Sequence, residues 1–329
     1  MRIAAIEVSH WHSLYDAAYL RILAGMPDVQ LVGLHDPDAA VVARRAAAVG
    51  NPPVFTDYRE MLDQTRPDFV VALGQHRRMA QTAHDLLDRG LAFMMEKPMG
   101  LDAVEVSAIA EKAAARQAFV AVPLPQRYSP FVARARQMLA DGRFGPLSHL
   151  YFRLNRPTSA RYPAWDSPWM LDPALAGGGC LRNLGAHLLD LFLLLTGEEA
   201  EVTGAQLSAH ALGQRVEDYA TVLLRSAGGV LGTIEVGNTV PYDGTDGELK
   251  IAGRDAMLVS YHDDTMRVLT SGGEETTSAA PAAPLYPTAV RDILDHWRRG
   301  APPPVGVHDC LRVVRLIDHA YERAGTTAA

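Results

Sequence analysis

Cysteine is almost missing from this chain. Cys180 and Cys310 are the two in 329 residues, too few for a disulfide framework or a cysteine-rich metal site. Positive charge is also short. The formal net charge is -7, which argues against the broad basic footprint that nucleic acid requires. Lysine is scarcer still: of 31 Lys plus Arg, only Lys97, Lys112 and Lys250 are lysine. No apolar stretch reads as long enough to span a bilayer, and the opening MRIAAIEVSHWH is too short in apolar run for a signal peptide. These absences point to a reducing cytoplasm and to neither membrane nor nucleic acid as a partner. Hydrophobic residues at 48% and charged residues at 21% are those of a globular chain with a buried core. Its length favours two domains over one.

The pattern along the chain changes once. Up to residue 123, short apolar runs (2–8, 29–36, 68–74, 92–96, 118–124) alternate with amphipathic ones (13–25, 37–49, 77–89, 101–117). Strands alternating with helices imply βαβ units and a parallel sheet covered on both faces. Asp57 with Glu60 forms a capping box for a further short helix. From residue 124 a helix is expected over 130–141, a strand over 147–155, and a strongly apolar helix over 180–195. Strands without intervening helices follow over 200–210, 219–226, 230–238, 248–252, 256–262 and 265–270, with hairpin-like separators such as Asp263-Asp264. Residues 276–287 read as a loop, and helices over 288–299 and 308–323 close the chain. The expected fold is α/β: a Rossmann-type, doubly wound parallel sheet over 1–123, and an α+β domain with an open, mostly antiparallel sheet over 124–329.

The first strand and helix of such a sheet are where a phosphate-binding G-x-G-x-x-G belongs. That motif is also missing. In its place stands Glu7-Val8-Ser9-His10-Trp11-His12. Ser9 is small enough for close backbone approach, His12 can meet phosphate through its ring, and Trp11 sits between them. Glu7 is awkward, because a carboxylate repels pyrophosphate unless it points away. The second strand ends at Asp36, about 20 residues past the loop, where an acidic residue accepts hydrogen bonds from ribose hydroxyls and repels a 2′-phosphate. That favours NAD over NADP. The same Asp36 also suits a helix N-cap ahead of Pro37.

Lys97 follows the run AFMM in a chain that otherwise uses arginine. Lysine shifts its pKa and exchanges protons where arginine does not. The alternative is a surface residue at a strand end. Glu96-Lys97-Pro98, followed by GLDAVEVSAIAEKA, resembles the Glu-Lys-Pro motif of the glucose–fructose oxidoreductase / inositol dehydrogenase (Gfo/Idh/MocA) family. Residues 72–76 (ALGQH), 126–130 (QRYSP) and 177–190 (GGGCLRNLGAHLLD) resemble other segments of that family in the same order. The resemblance covers nearly the whole chain. It implies a nicotinamide cofactor held by Ser9, Trp11, His12, Asp36, Leu73, Gly74, His76, Glu96 and Lys97, with the glycine-led helix facing the nicotinamide ring. It further implies a sugar, cyclitol or related polyol as substrate, and a homodimer or homotetramer formed through the C-terminal sheet. Two departures stand out: the missing glycines, and Asn183 where the family often has aspartate.

Oxidising a secondary alcohol sends a hydride to the cofactor and a proton to the protein. His187 is the candidate base, because imidazole titrates near neutrality. Lys97 is the candidate stabiliser of the alkoxide. Asn183 stands four residues before His187, where an amide orients the ring but lends it no charge. A satisfied core histidine is the plainer reading of His187, and a backbone-binding carboxylate that of Asp190. Arg127, Asn155, Trp169 and Tyr242 are candidate substrate contacts, with Arg161, Tyr162 and Trp165 as further lining. Ordinary packing explains each of them equally well. The spacings of His10, His12, His76 and His84 match no recognised ligand set, so no metal is assigned. Two other functions suit the same fold: redox-assisted glycosidic elimination or hydrolysis with NAD recycled in place, and a non-catalytic ligand-binding regulator with a degenerate nucleotide site.

Overall fold

The computed structural model describes residues 1–261, 263 and 265–325. Of the sequence expectations, His262 at the end of the 256–262 strand and Asp264 of the Asp263-Asp264 turn lie outside the described residues. The chain divides into two units: residues 1–123, 161–177 and 286–311 form the first, and residues 124–160, 178–285 and 312–329 the second. This grouping is discontinuous in sequence. Residues 161–177 and 286–311 belong with the N-terminal sheet.

Six strands build the first unit: β1 (Arg2–Ile6), β2 (Gln30–His35), β3 (Val54–Phe55), β4 (Phe69–Ala72), β5 (Ala92–Met95) and β6 (Val120–Ala121). They pair in parallel in the order β3-β2-β1-β4-β5-β6, with helices in the crossovers. Ile3, Ala4, Ala5 and Ile6 of β1 are buried on both faces, which is why this strand reads as a continuous apolar run rather than an alternating one. Burying each isoleucine contributes about 2 kcal/mol. Phe69 of β4 meets Trp297 of the helix Leu285–Arg298 edge-on at 5.4 Å, so this late helix completes the early sheet.

The first crossover departs from expectation. In place of one helix over 13–25 there is a 3-10 turn, Trp11–Ser13, and a short α-helix, Tyr19–Ala24. Asp16 and Ala18 adopt left-handed backbone at φ 49° and 51°, a conformation that interrupts a right-handed helix.

The second unit is built on eight strands: β7 (Leu147–Asn155), β8 (Ala200–Ser208), β9 (Tyr219–Ser226), β10 (Leu231–Gly237), β11 (Asp246–Gly253), β12 (Ala256–Ser260), β13 (Thr265–Thr270) and β14 (Gly273–Ser278). Their order is β14-β13-β12-β11-β7-β10-β9-β8. All pairs are antiparallel except β10 with β7, which makes the sheet mostly antiparallel, as expected. Strand β14 occupies part of the stretch read as a loop. It is an exposed edge strand without apolar alternation. The helices Pro130–Ala140 and Ala186–Thr196 and residues 313–321 of the last helix pack against one face of the sheet, through Phe131, Val132, Leu189, Phe192, Leu316 and Ile317.

The apolar stretch Pro173–Thr196 does reach the length and hydropathy of a membrane span, contrary to the sequence reading, but 94% of its most apolar window is buried within the protein. It is core.

Candidate active site

In an open parallel sheet, ligands collect beyond the carboxyl ends of the strands, where the strand order reverses. In the first unit that point lies between β1 and β4. The loop after β1 turns at Glu7, whose φ of 55° is the left-handed backbone that a glycine would supply at lower cost. The Glu7 side chain leaves the loop. Its Oε2 accepts from the Gln75 N–H at 2.9 Å, and its Oε1 pairs with Arg78 Nε at 3.0 Å. Gly74 makes room for this. It sits at φ 93°, and a Cβ there would stand 2.8 Å from Glu7 Oε2. Burial pushes the Glu7 carboxyl above its ordinary range, against the pull of Arg78 and the Gln75 N–H. The carboxylate that looked hostile to pyrophosphate is therefore turned toward the helix His76–Asp88 and partly neutralised there.

Ser9 donates its N–H to Asp36 Oδ2 at 2.7 Å, and Asp36 Oδ1 accepts from the Asp38 N–H at 3.1 Å. The helix N-cap is Asp38, whose Oδ1 accepts from Ala40 and Val41. Asp36 is thus not the cap. It is a buried carboxylate at the end of β2, tied to the loop after β1. A carboxylate offers about four acceptor positions, so two hydrogen bonds leave capacity for ribose hydroxyls.

Residues 161–177 strap this loop. Ser167 Oγ donates to the Ser9 carbonyl at 2.9 Å, Arg45 donates to the carbonyls of Val8 and Trp165, and His76 Nδ1 donates to the Ala176 carbonyl at 2.7 Å. Trp11 stacks on His10 at 4.0 Å and packs with Tyr162 and Trp169. Trp169, read from sequence as a substrate contact, is a buried member of this aromatic cluster and meets His76 edge-on at 5.1 Å.

Glu96 and Lys97 follow directly on β5, both buried, and the Lys97-Pro98 bond is cis. Glu96 Oε1 accepts from His12 Nδ1 at 2.7 Å and from the Tyr19 hydroxyl at 2.5 Å. Its Oε2 accepts from the Lys97 N–H at 3.2 Å. Burial alone would raise this carboxyl. The charge and hydrogen bond of His12, together with Lys97, outweigh it and hold Glu96 well below the usual carboxylate range. His12 was expected to meet phosphate, but its Nδ1 is committed to Glu96. The ligand-type atoms of His10, His12 and Glu96 fall within 4.8 Å of one another, a convergence that sequence spacing did not show. Two hydrogen bonds already occupy Glu96 Oε1 and the Lys97 charge bears on the same carboxylate, so the arrangement reads as a hydrogen-bonded cluster.

The structure thus brings Ser9, Trp11, His12, Asp36, Leu73, Gly74, His76, Glu96, Lys97 and Trp169 into one unit. It adds Tyr19, Arg45 and Arg78, which no motif marks.

In the second unit the helix expected over 180–195 begins as a π turn, Leu181–Gly185, and becomes α-helical at Ala186–Thr196. Wide i→i+5 turns of this kind recur at functional sites. Asn183 lies in the π turn and His187 in the first α turn, both buried. Arg127, a candidate substrate contact in the sequence, pairs with Asp190 in this structure. Its Nε and Nη2 donate to the two oxygens of buried Asp190 at 2.8 and 2.5 Å. Asn155 is also committed, accepting from the Thr239 N–H at 3.0 Å and donating to Thr239 Oγ1 at 3.1 Å. Tyr242 is exposed. Arg127→Ala, which removes the fork of donors to buried Asp190, is expected to cost about 2 kcal/mol in chemical denaturation. A loss below about 0.5 kcal/mol would show that this pair does not hold the segment 125–128.

Comparison with known proteins agrees with this architecture. Residues 13–123 match the family described as "Oxidoreductase family, NAD-binding Rossmann fold", and residues 132–259 match the "GFO/IDH/MocA C-terminal domain". The chain belongs to the Gfo/Idh/MocA family of oxidoreductases. It is 32% identical over 205 residues to trans-1,2-dihydrobenzene-1,2-diol dehydrogenase of Bos taurus, a match spanning 60% of this chain and 58% of the bovine enzyme. It is 24% identical over 267 residues to inositol 2-dehydrogenase of Rhizobium meliloti, spanning 79% of this chain and 76% of that one. The matched stretch is thus under two thirds of the bovine enzyme's length. Among solved structures, an oxidoreductase from Agrobacterium radiobacter in complex with NAD+, L-tartaric acid and magnesium superimposes with TM-score 0.87 at 15% identity, over 99% of this chain and 96% of that one. A levoglucosan dehydrogenase with NADH and levoglucosan gives 0.84 at 19% identity, over 99% and 97%. These two share the fold.

Proposed function

We propose that this protein is an NAD-dependent dehydrogenase that interconverts a secondary hydroxyl and a keto group on a sugar, cyclitol or related polyol. The observation that carries this is the pairing of a buried lysine, Lys97, at the end of β5 with a buried carboxylate, Asp36, at the end of β2, in a sheet of Rossmann order. The names of the relatives support the substrate class.

The residues present fit a dinucleotide. The loop after β1 keeps its left-handed turn at Glu7 without a glycine, and the Glu7 carboxylate is engaged elsewhere. Ser9, Leu73, Gly74 and Asp36 would hold the group, and when bound it supplies the hydride acceptor. The chain's own work is the proton and the charge. Lys97 Nζ donates to the substrate oxygen and stabilises the alkoxide as the carbon–hydrogen bond breaks. Within the second unit, His187 is the proposed proton acceptor, and Asn183, four residues before it, is the group proposed to orient its ring. An amide at Asn183 lends that ring no charge.

Reduction of NAD and of NADP, followed at the nicotinamide absorbance across a panel that includes inositol and levoglucosan, tests this reading. No turnover and no binding of either nucleotide would sink it. Asp36→Asn keeps the shape of the side chain but removes the charge that opposes a 2′-phosphate. It is expected to lower the preference for NAD over NADP by about tenfold in kcat/KM, a difference of about 1.4 kcal/mol. An unchanged preference would remove Asp36 from cofactor selection.

A further inference from the structure

Hydride transfer as described does not use His12, yet the structure places its ring with care. Tyr19 meets it edge-on at 6.0 Å and Tyr286 at 5.6 Å, and the His12 backbone N–H donates to His10 Nδ1 at 3.1 Å. His10 serves as a neutral acceptor there, because burial pushes its imidazole far down. Fixed this way, His12 aims Nδ1 at Glu96 Oε1 across 84 residues of sequence. An ionised carboxylate only accepts, so the proton of this hydrogen bond sits on Nδ1. Tyr19 supports the same oxygen. Its hydroxyl stays protonated, because burial and the neighbouring Glu96 both raise it. The other oxygen, Oε2, receives the Lys97 backbone N–H. One carboxylate therefore joins the loop after β1 to the main chain of Lys97.

We propose that His12 is a positioning residue for the reaction: its Nδ1–H fixes the Glu96 carboxylate, and Glu96 fixes the backbone from which Lys97 reaches the substrate oxygen. This rests on the reading of Lys97 given above, and it replaces the phosphate contact expected of His12 from sequence. Groups that orient a functional residue from behind typically change rates by about ten- to a hundredfold when removed. A phosphate contact acts differently, since its loss weakens nucleotide binding.

Two measurements on the 329-residue chain decide between these roles. The first needs neither cofactor nor substrate. In protein labelled with 15N-histidine, the His12 ring, assigned by its disappearance in His12→Asn, is expected to show a protonated Nδ1, the proton facing Glu96 Oε1. The opposite tautomer would overturn the proposal. So would loss of the Nδ1–H signal on adding one equivalent of zinc chloride, which would turn the cluster into a metal site. The second measurement is kinetic. His12→Ala is expected to lower kcat about ten- to a hundredfold while the KM for NAD stays within about twofold. His12→Asn, whose amide Nδ2 can stand in for Nδ1–H, is expected to recover to within about threefold of the wild type. A raised KM for NAD with unchanged kcat in His12→Ala would restore the phosphate role. Failure of His12→Asn to rescue, in two variants that both fold, would leave His12 a packing residue only. If Lys97→Met turns over like the wild type, the proposed function fails, while the tautomer of His12 is still decided by the spectrum.

Discussion

Lys97→Met should lower kcat/KM by about 10²- to 10³-fold, a loss of about 2.7–4 kcal/mol of transition-state stabilisation, while NAD binding measured by calorimetry stays within about threefold. The separation of the two effects is the content of the prediction. Lys97 is buried at the end of β5 next to a carboxylate that accepts its backbone N–H. Methionine is close to lysine in length and apolar character, so packing is largely preserved and the change is one of charge and hydrogen bonding. In a site closed to water, a single preorganised donor is worth far more than the same contact at a surface. Lys97→Arg refines the test. Arginine keeps the charge but does not exchange a proton. Recovery of most of the activity in Lys97→Arg would confine lysine to an electrostatic role. Loss equal to that of methionine would assign it proton transfer or a geometry that the guanidinium cannot meet. Activity within tenfold of the wild type in Lys97→Met would end the reading of this residue as the centre of the chemistry.

What the sequence shows and hides about this site follows from the range of the interactions involved. The parallel sheet is legible because strands such as β1 are buried on both faces and so carry unbroken apolar runs. Lys97 stands out in the sequence because the chain otherwise uses arginine. Glu7 is legible only as a problem. Its solution, a hydrogen bond to the Gln75 N–H and an ion pair with Arg78, spans 68 residues and leaves no local trace. Asp36 and Asp38 flank one proline, and capping chemistry favours either; the side-chain bonds to Ala40 and Val41 single out Asp38. Arg127 in a loop and Asp190 in a helix look like separate candidates until the fold brings them together. The π turn at Leu181–Gly185 is invisible for another reason. The helix around it is buried on all sides, so it has no exposed polar stripe in which a change of period could be read.

The largest loss of stability is expected at a residue that no motif marks. Glu217 precedes β9 and is buried. Its Oε2 accepts from the Gly179 N–H at 2.8 Å, and its Oε1 accepts from the Leu181 N–H at 3.0 Å and the Tyr321 hydroxyl at 2.8 Å. The glycines are there because nothing larger fits. Gly178 has φ 150°, and a Cβ on it would stand 1.8 Å from the Tyr321 hydroxyl oxygen. This knot sets where the helix carrying Asn183 and His187 begins. Glu217→Leu leaves three buried donors without an acceptor, each costing about 1–3 kcal/mol and not strictly additive, so the expected loss is about 3–5 kcal/mol by urea denaturation. The ionisation of Glu217 adds a signature that packing alone cannot mimic. Burial pushes its carboxyl above the ordinary range, outweighing the bonds from Tyr321, Gly179 and Leu181. The folded state therefore holds a proton more tightly than the unfolded chain. Its contribution is fully present below the unfolded pKa and is lost as pH rises through the folded one. Glu217→Gln removes this titration. The stability difference between wild type and Glu217→Gln should shrink as pH rises above the unfolded value, because only the wild type is then destabilised by a buried charge. A difference that grows with pH would mean that the three donors outweigh burial and that the carboxylate is held ionised to cap the helix.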